Sequence, residues 1–218
     1  MIKDYLKDDD GNRIDFNDIS IESLCGHCLF GEIDIETSKD ACTFILKANQ
    51  IYKDKELTLF INTGGGDTND GFALIDLMGM SRLPVKTVGM GMIASMGVLI
   101  LSAGTKGKRI ISRNTEVMAH QFSGGGDGKF HEVMAEAHAN LYMRARFLEH
   151  FKRHSKMTEK QIETYLFGPT DKWLTPSECK KFGLVDEVVD QLPEFNLEIP
   201  SLQQRPARAS RSKHQSPQ

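Results

Sequence analysis

The sequence lacks a surplus of either charge, an apolar leader at its start, and any internal repeat at a solenoid period. Lysine and arginine number 27 against 30 acids, a net charge of −3 over 218 residues with the signs intermixed. No global field therefore points to nucleic acid or an anionic membrane. The opening MIKDYLKDDDGNR carries acids early and no apolar segment, so no secretory signal is expected and a cytoplasmic location is the default. Long hydrophobic runs are also scarce. The one uncharged run, between Lys86 and Lys106, is 19 residues long, close to the roughly 20 that span a bilayer. Four glycines and a strand-like first third predict a buried strand followed by a buried helix instead.

Several chemical signatures are missing too. Gly66 and Gly71 have the spacing of a phosphate-binding G-x-x-x-x-G-K-[ST] loop, but Phe72 stands where the lysine must be. Gly64 and Gly66 are followed by Asn69, which breaks the dinucleotide fingerprint. Ser95 is not in a G-x-S-x-G elbow, because Ile93 occupies the first glycine position. HEVMA at 131–135 stops short of the zinc motif H-E-x-x-H, with Ala135 in place of the second histidine. No cofactor and no metal are expected.

What is present is enough for one sizeable domain: 39% hydrophobic residues in a chain of this length. Residues 1–20 read as an acidic, frayed segment, 21–192 as the folded domain, and 193–218 as a mildly basic disordered tail. The tail interleaves no aromatic residue with its arginines, so it is not read as a nucleic-acid binder. Within the domain, helical patterns at 37–52, 69–80, 95–104 and about 130–154 alternate with strands ELTLFIN, VKTVGM, KRIIS and TEVMAH. Thr175, Pro176 and Glu178 predict a capped helix that stops at Gly183, followed by the strand LVDEVV. Such alternation implies an α/β domain with mainly parallel strands and right-handed crossovers.

Two glycine-rich strand-to-helix turns, INTGGGD at 61–67 and GMIASMG at 91–97, should meet at the carboxyl edge of that sheet, where ligands bind. Unpaired N–H groups at two adjacent helix starts can hold an oxyanion. Ser95 then has two readings: a helix cap, the commoner use of a serine there, or a nucleophile. A nucleophile needs a base and a base needs an orienting acid. His27 lies in CGHC, His214 in the tail, and His131, His138, His150 and His154 on the long helix with solvent-facing positions. His150 and His154 make an i, i+4 pair with no third metal ligand in evidence. His120, ending TEVMAH, is left as the base. Asp171, in a tight loop after Gly168–Pro169 and before the capped helix, is preferred as the acid over Asp186, which reads as structural, and Asp127, which lies amid glycines. The CGHC at 25–28 is like a disulfide-exchange site, but a strand signal follows it where redox chemistry needs a helix start. Cys25 and Cys28 are thus expected to be thiols without a redox or metal role, and Cys42 and Cys179 would complete a zinc site only by coincidence of folding.

The stretches INTGGGD, GMGMIASMGVLILSAGTKGKR, VMAHQ and DKWLTPSECKKFGLVDEVV resemble, in order and spacing, the ClpP family of proteolytic subunits, over about residues 29–190. The resemblance implies a crotonase-like fold of repeated βαβ units with a long protruding handle helix. It implies a serine endopeptidase with Ser95 as nucleophile, His120 as general base and Asp171 as orienting acid. Gly66 and Met96 match the positions whose N–H groups form the oxyanion hole. It further implies a homo-oligomer, a heptamer or two stacked heptamers, fed with unfolded polypeptides by an AAA+ unfoldase ATPase. The helix 130–154, with Val133, Ala137, Leu141, Ala145 and Leu148 on one face, looks like the handle joining two rings. Some family features are missing. Gly64 and Asp67 stand where proline and serine are usual, Phe122 follows Gln121 in place of proline, and Pro169–Thr170 replaces an acid–base pair that bonds across the ring junction. Neighbouring readings are a catalytically silent ring subunit, a capsid-maturation protease of the same fold, and an acyl-CoA enzyme of the wider crotonase fold.

Overall fold

Apolar β-branched runs separated by amphipathic helices build a parallel sheet with helices packed on it. The computed structural model describes residues 20–121 and 128–191, together with the backbone of two short strands, β1 (Leu6–Lys7) and β2 (Arg13–Ile14). These two pair antiparallel within a unit made of residues 1–24 and 194–218. The second unit, Cys25–Pro193, holds the other strands and the six α-helices found among the described residues. The expected tail at 193–218, with His214, and the segment with Phe122 and Asp127 lie outside the described residues.

In the second unit, β3 (Gly26–Phe30), β4 (Leu57–Thr63), β5 (Val85–Ala94), β6 (Arg109–Ser112) and β9 (Glu187–Val189) lie side by side in that order, all parallel. The strand β7 (Glu116–Ala119) pairs parallel to the end of β5, and β8 (Lys172–Leu174) pairs antiparallel to β7. The ten residues of β5 serve two partners: Thr87–Gly89 pair with β6, and Met92–Ala94 pair with β7. The change of partner coincides with a slip against β4, where Ile61 faces Gly89 but Thr63 faces Ile93. At the slip Gly91 adopts φ +64°, and a Cβ there would sit 2.8 Å from Asn62 Oδ1, so only glycine fits. Asn62 Oδ1 accepts the Met92 N–H at 3.0 Å and holds the bend.

The helices follow the predicted pattern closely. α1 (Ile35–Ile51) buries Ala41, Phe44, Ile45 and Ala48, the face expected from their spacing. α2 (Thr68–Met80) and α3 (Met96–Ser102) follow the two glycine turns, and α3 is buried along its whole length. The uncharged run is therefore a strand and a short helix, and no helix among the described residues is long and apolar enough to cross a membrane. α4 (Phe130–His154) has the bounds expected, with its C-terminal Phe147, His150 and Phe151 in the core. Its first half stands clear of the unit: Phe130 is 82% exposed, Leu141 64% and Tyr142 69%. α6 (Pro176–Phe182) carries the predicted capping box, with Thr175 Oγ1 accepting the Glu178 N–H and Glu178 accepting the Thr175 N–H. It ends at Gly183 in the left-handed conformation, φ +72°.

Two elements differ from expectation. α5 (Glu159–Tyr165) was not anticipated, although Thr158 and Gln161 form a capping box that marks its start. The strand β8 intervenes between Asp171 and α6, so Asp171 lies just before a strand instead of leading directly into a helix.

Candidate active site

The glycine turn after β4 is pinned from outside. Ile33 N–H donates to Gly65 C=O at 2.8 Å, Asp67 N–H donates to Ile33 C=O at 2.7 Å, and Gly65 N–H donates to Thr63 Oγ1 at 3.0 Å. Gly65 (φ +100°) and Gly66 (φ +148°) both occupy backbone space that favours glycine. A Cβ on Gly66 would lie 2.1 Å from Ile33 C=O. A Cβ on Gly65 would lie 2.6 Å from Ser95 Cβ and 3.2 Å from Met96 N, so this turn packs directly on the serine turn. Asp67 has its own local reason to be there. It is the N-cap of α2, and its Oδ1 accepts the Asn69 and Asp70 N–H groups at 2.8 and 3.0 Å.

The serine turn follows from the end of β5. Ser95 sits at the N-cap position of α3 with φ +52° and ψ −121°, and its side chain makes no capping hydrogen bond. The cap reading of the sequence therefore fails: the hydroxyl satisfies no helix N–H. Its backbone N–H donates to Met118 C=O at 2.9 Å, which ties the turn to β7. Neither Gly66 N–H nor Met96 N–H donates to a group among the described residues, so both are available at adjoining turns. Gly97 lets the first turn of α3 approach β4, since a Cβ there would meet Thr63 Cγ2 at 2.5 Å.

Strand register brings the other two residues to the same edge. Ala94 pairs with Met118 in the parallel β5–β7 ladder, and Ala119 pairs with Lys172 in the antiparallel β7–β8 ladder. Continuing each ladder past its last pair puts Ser95 and His120 at the carboxyl ends of neighbouring strands, with Asp171 beside His120 across the next pairing. Ser95 and His120 are half-buried and Asp171 is exposed. No hydrogen bond joins Ser95 to His120, or His120 to Asp171, among the described residues. One bond ties the histidine segment to the acid segment: Gln121 Nε2 donates to Phe167 C=O at 2.6 Å, four residues before Asp171.

The remaining candidates resolve differently. His150 is not at the surface as expected. It is 6% exposed, with Nε2 3.0 Å from Ser102 Oγ and its ring stacked on His154 at 4.5 Å between centroids. Burial, with the charge of neighbouring His154 adding to it, pushes its pKa down to about 3. Asp186 lies just before β9 and is structural, as expected: Arg109 Nε and Nη2 donate to its two oxygens at 2.9 and 2.6 Å. His27 and Cys28 are strand residues in β3, with His27 stacked on Phe44, so CGHC does not start a helix. No disulfide joins the four cysteines, and burial pushes the Cys179 thiol up to about 12. Among the described residues no group of three or more His, Cys, Asp or Glu is placed to hold a metal.

Two comparisons cover most of the chain. The model of the family described as Clp protease matches residues 24–192. The chain is similar to the ATP-dependent Clp protease proteolytic subunit 2 of Thermobifida fusca, with 34% identity over 163 residues, covering 75% of this chain and 79% of the relative. With the parallel sheet and its two glycine turns in place, the match over most of the folded unit is decisive: the chain belongs to the Clp protease family.

Proposed function

We propose that the protein is a serine endopeptidase that hydrolyses unfolded polypeptides through an acyl-enzyme. The observation that supports this reading most is the register that brings Ser95, His120 and Asp171 to one sheet edge, with the serine hydroxyl free of any capping role. In this reading His120 takes the Ser95 proton as Oγ attacks the scissile carbonyl, and Asp171 keeps the imidazole oriented. The N–H groups of Gly66 and Met96 receive the oxyanion, each contributing about 2.7–4 kcal/mol to the transition state. The proton then passes from His120 to the leaving amine as the C–N bond breaks. Water, relieved of its proton by His120, cleaves the acyl ester and frees Ser95.

The relative's name also supports a role as the proteolytic subunit of an ATP-dependent protease. The chain would then form heptameric rings, single or stacked, and receive substrate from an AAA+ unfoldase. The exposed apolar side chains on the first half of α4, Phe130, Val133, Met134 and Leu141 among them, are in keeping with a handle that is covered on assembly. Replacing Ser95 by Ala should abolish peptide hydrolysis while the native mass of the assembly stays the same; undiminished turnover by S95A overturns the assignment.

A second reading, a catalytically silent ring subunit, is favoured by one observation: no hydrogen bond links the three side chains among the described residues. Catalytic hydrogen bonds often tighten only when substrate binds, so the two readings separate on reactivity. A fluorophosphonate that labels Ser95 in the assembled protein supports the peptidase; failure to label assembled, folded protein supports the silent subunit.

A further inference from the structure

At the opposite edge of the sheet from Ser95, the ends of four helices surround a cavity of about 510 Å³. Met78 and Gly79 close α2 on one side, Ala103 and Gly104 follow α3, Arg153 and His154 end α4, and Gly183 caps α6. Helix C-termini present unpaired carbonyls and partial negative charge, and two arginines, one buried and one exposed, answer part of that demand. Arg109, 4% exposed, donates through Nη1 to the C=O groups of Ser102 and His154 while its other nitrogens hold Asp186. Arg82 donates to Asn49 C=O at the end of α1. These two guanidinium groups are accounted for by the fold.

Three further cations on the lining donate no side-chain hydrogen bond to a carbonyl among the described residues. Lys106, Arg153 and Lys156 are exposed at the cavity mouth, and none has a carboxylate within ion-pair distance among the described residues. The lining includes no Asp and no Glu, in a chain whose acids outnumber its bases. Elsewhere some cations do have carboxylate partners: Lys86 and Lys108 with Glu56, Arg113 with Asp190, Arg144 with Glu163, Lys152 with Glu159. Beyond Asp186, which Arg109 already holds, and the partial charges of the helix ends, no carboxylate offsets these cations, and their concentration in a concave site favours a multivalent anion. The floor is apolar, with Met78 and Leu83 both buried, and the glycines keep it open: a Cβ on Gly183 would strike the Lys156 stem at 2.7 Å. The charge on Arg153 and Arg109 also contributes, after burial, to holding the pKa of His154 below its usual value.

We infer that this cleft binds a small, multiply charged phosphate-bearing anion, with Lys106, Arg153 and Lys156 as its charged contacts and Arg109, held from behind by Asp186, as a fixed wall. Lysine and arginine on converging segments can each take a different phosphoryl oxygen. The cavity has room for a chain of two or three phosphoryl groups. This inference does not depend on the peptidase reading, since binding is measured equally well in the S95A protein.

The test is titration calorimetry of the assembled protein with inorganic tripolyphosphate, at low and at 0.3 M salt. The expected results are saturable binding of one tripolyphosphate per subunit and a clear loss of affinity at the higher salt. The double variant Arg153→Ala/Lys156→Ala should bind at least tenfold more weakly, whereas Lys160→Ala, on α5 and outside the cleft, should bind like the wild type. Both variants change exposed side chains, and unaltered native mass and melting temperature would confirm that they fold. Absence of binding by the assembled protein at low salt would overturn the proposal, because it would mean that a neighbouring copy covers the cleft or that solvent suffices for the charges. Equal weakening by Lys160→Ala would overturn it as well, by reducing the effect to general surface charge.

Discussion

Acid should destabilise this protein through one imidazole. His150 is buried on the inner face of α4, beside Ser102, Phe72 and Phe151, with His154 stacked on it and Arg153 nearby. The Ser102 hydroxyl donates to Leu99 C=O at 2.9 Å, so Ser102 Oγ receives the Nε2–H of His150 and Nδ1 is left as the basic nitrogen. The folded pKa is about 3 against 6.5 for a free histidine. Between these values the unfolded chain binds the proton and the folded chain refuses it, so stability falls as pH falls through this window. At about 1.36 kcal/mol per pH unit, the loss is about 2 kcal/mol at pH 5 and approaches about 5 kcal/mol at pH 3. Above pH 6.5 this contribution is complete and flat. The measurement is urea denaturation at fixed protein concentration, at pH 7.5 and pH 5, for wild type and His150→Gln. Concentration must be held constant because assembly adds its own stabilisation. The variant should be weaker at pH 7.5 but lose about 2 kcal/mol less on acidification. Equal losses in the two proteins would refute the reasoning, as would an NMR titration in which the His150 ring protonates near pH 6.5 in the folded state.

Three further outcomes follow from the geometry. Gly65→Ala should remove peptidase activity and lower stability by more than about 1 kcal/mol, because a Cβ at φ +100° lies 2.6 Å from Ser95 Cβ; normal turnover by this variant would contradict the packing of the two turns. Gln121→Ala should slow peptide hydrolysis by about 2- to 10-fold, the worth of one neutral hydrogen bond, with little effect on melting, since Gln121 ties the His120 segment to Phe167 beside the Asp171 loop. Arg109→Leu strands the Asp186 carboxylate and two helix-end carbonyls, and chemical denaturation should register a loss near the lower end of about 3–5 kcal/mol, because Asp186 keeps some access to water.

Much of this arrangement was legible because its signals are local. The caps at Thr175 and Gly183, the periodic face Ala41–Phe44–Ile45–Ala48 and the bounds of α4 depend on neighbours within a few residues. The strand β8 was missed because three residues next to a proline-containing loop carry no period; only the pairing with β7 makes Lys172–Leu174 a strand. The burial of His150 was equally hidden. Its position on α4 follows from helical spacing, but its surroundings come from Ser102 at the far end of α3 and Phe72 on α2, which no local pattern announces. The slip in β5 was invisible for a related reason: VKTVGM reads as a strand that ends at Met90, and it is Asn62 on the neighbouring strand that lets the chain bend and continue to Ala94. Without that continuation β5 would not pair with β7, and Ser95 would have no register with His120.

The conformation of Ser95 is best judged against the other helix starts in the same chain. Asp34, Asp67, Thr158 and Thr175 all cap with negative φ, and each side chain accepts an N–H of its own helix. Such a cap is worth about 0.5–2 kcal/mol, and serine is among the best residues for it. Ser95 forgoes that gain and adds a positive φ, which costs of order 1–3 kcal/mol for a residue with a side chain. The local loss is tolerated because the surroundings hold the turn. Ser95 N–H is fixed to Met118, Gly65 presses on the Ser95 Cβ, and Met96, Val98, Leu99, Ile100 and Leu101 are all buried behind it, each worth about 1.5–3 kcal/mol to the fold. A serine needed only to begin α3 would gain by relaxing to the geometry that four other residues adopt. One that must keep its hydroxyl clear of the helix, as the proposed nucleophile must, has a physical reason to remain strained.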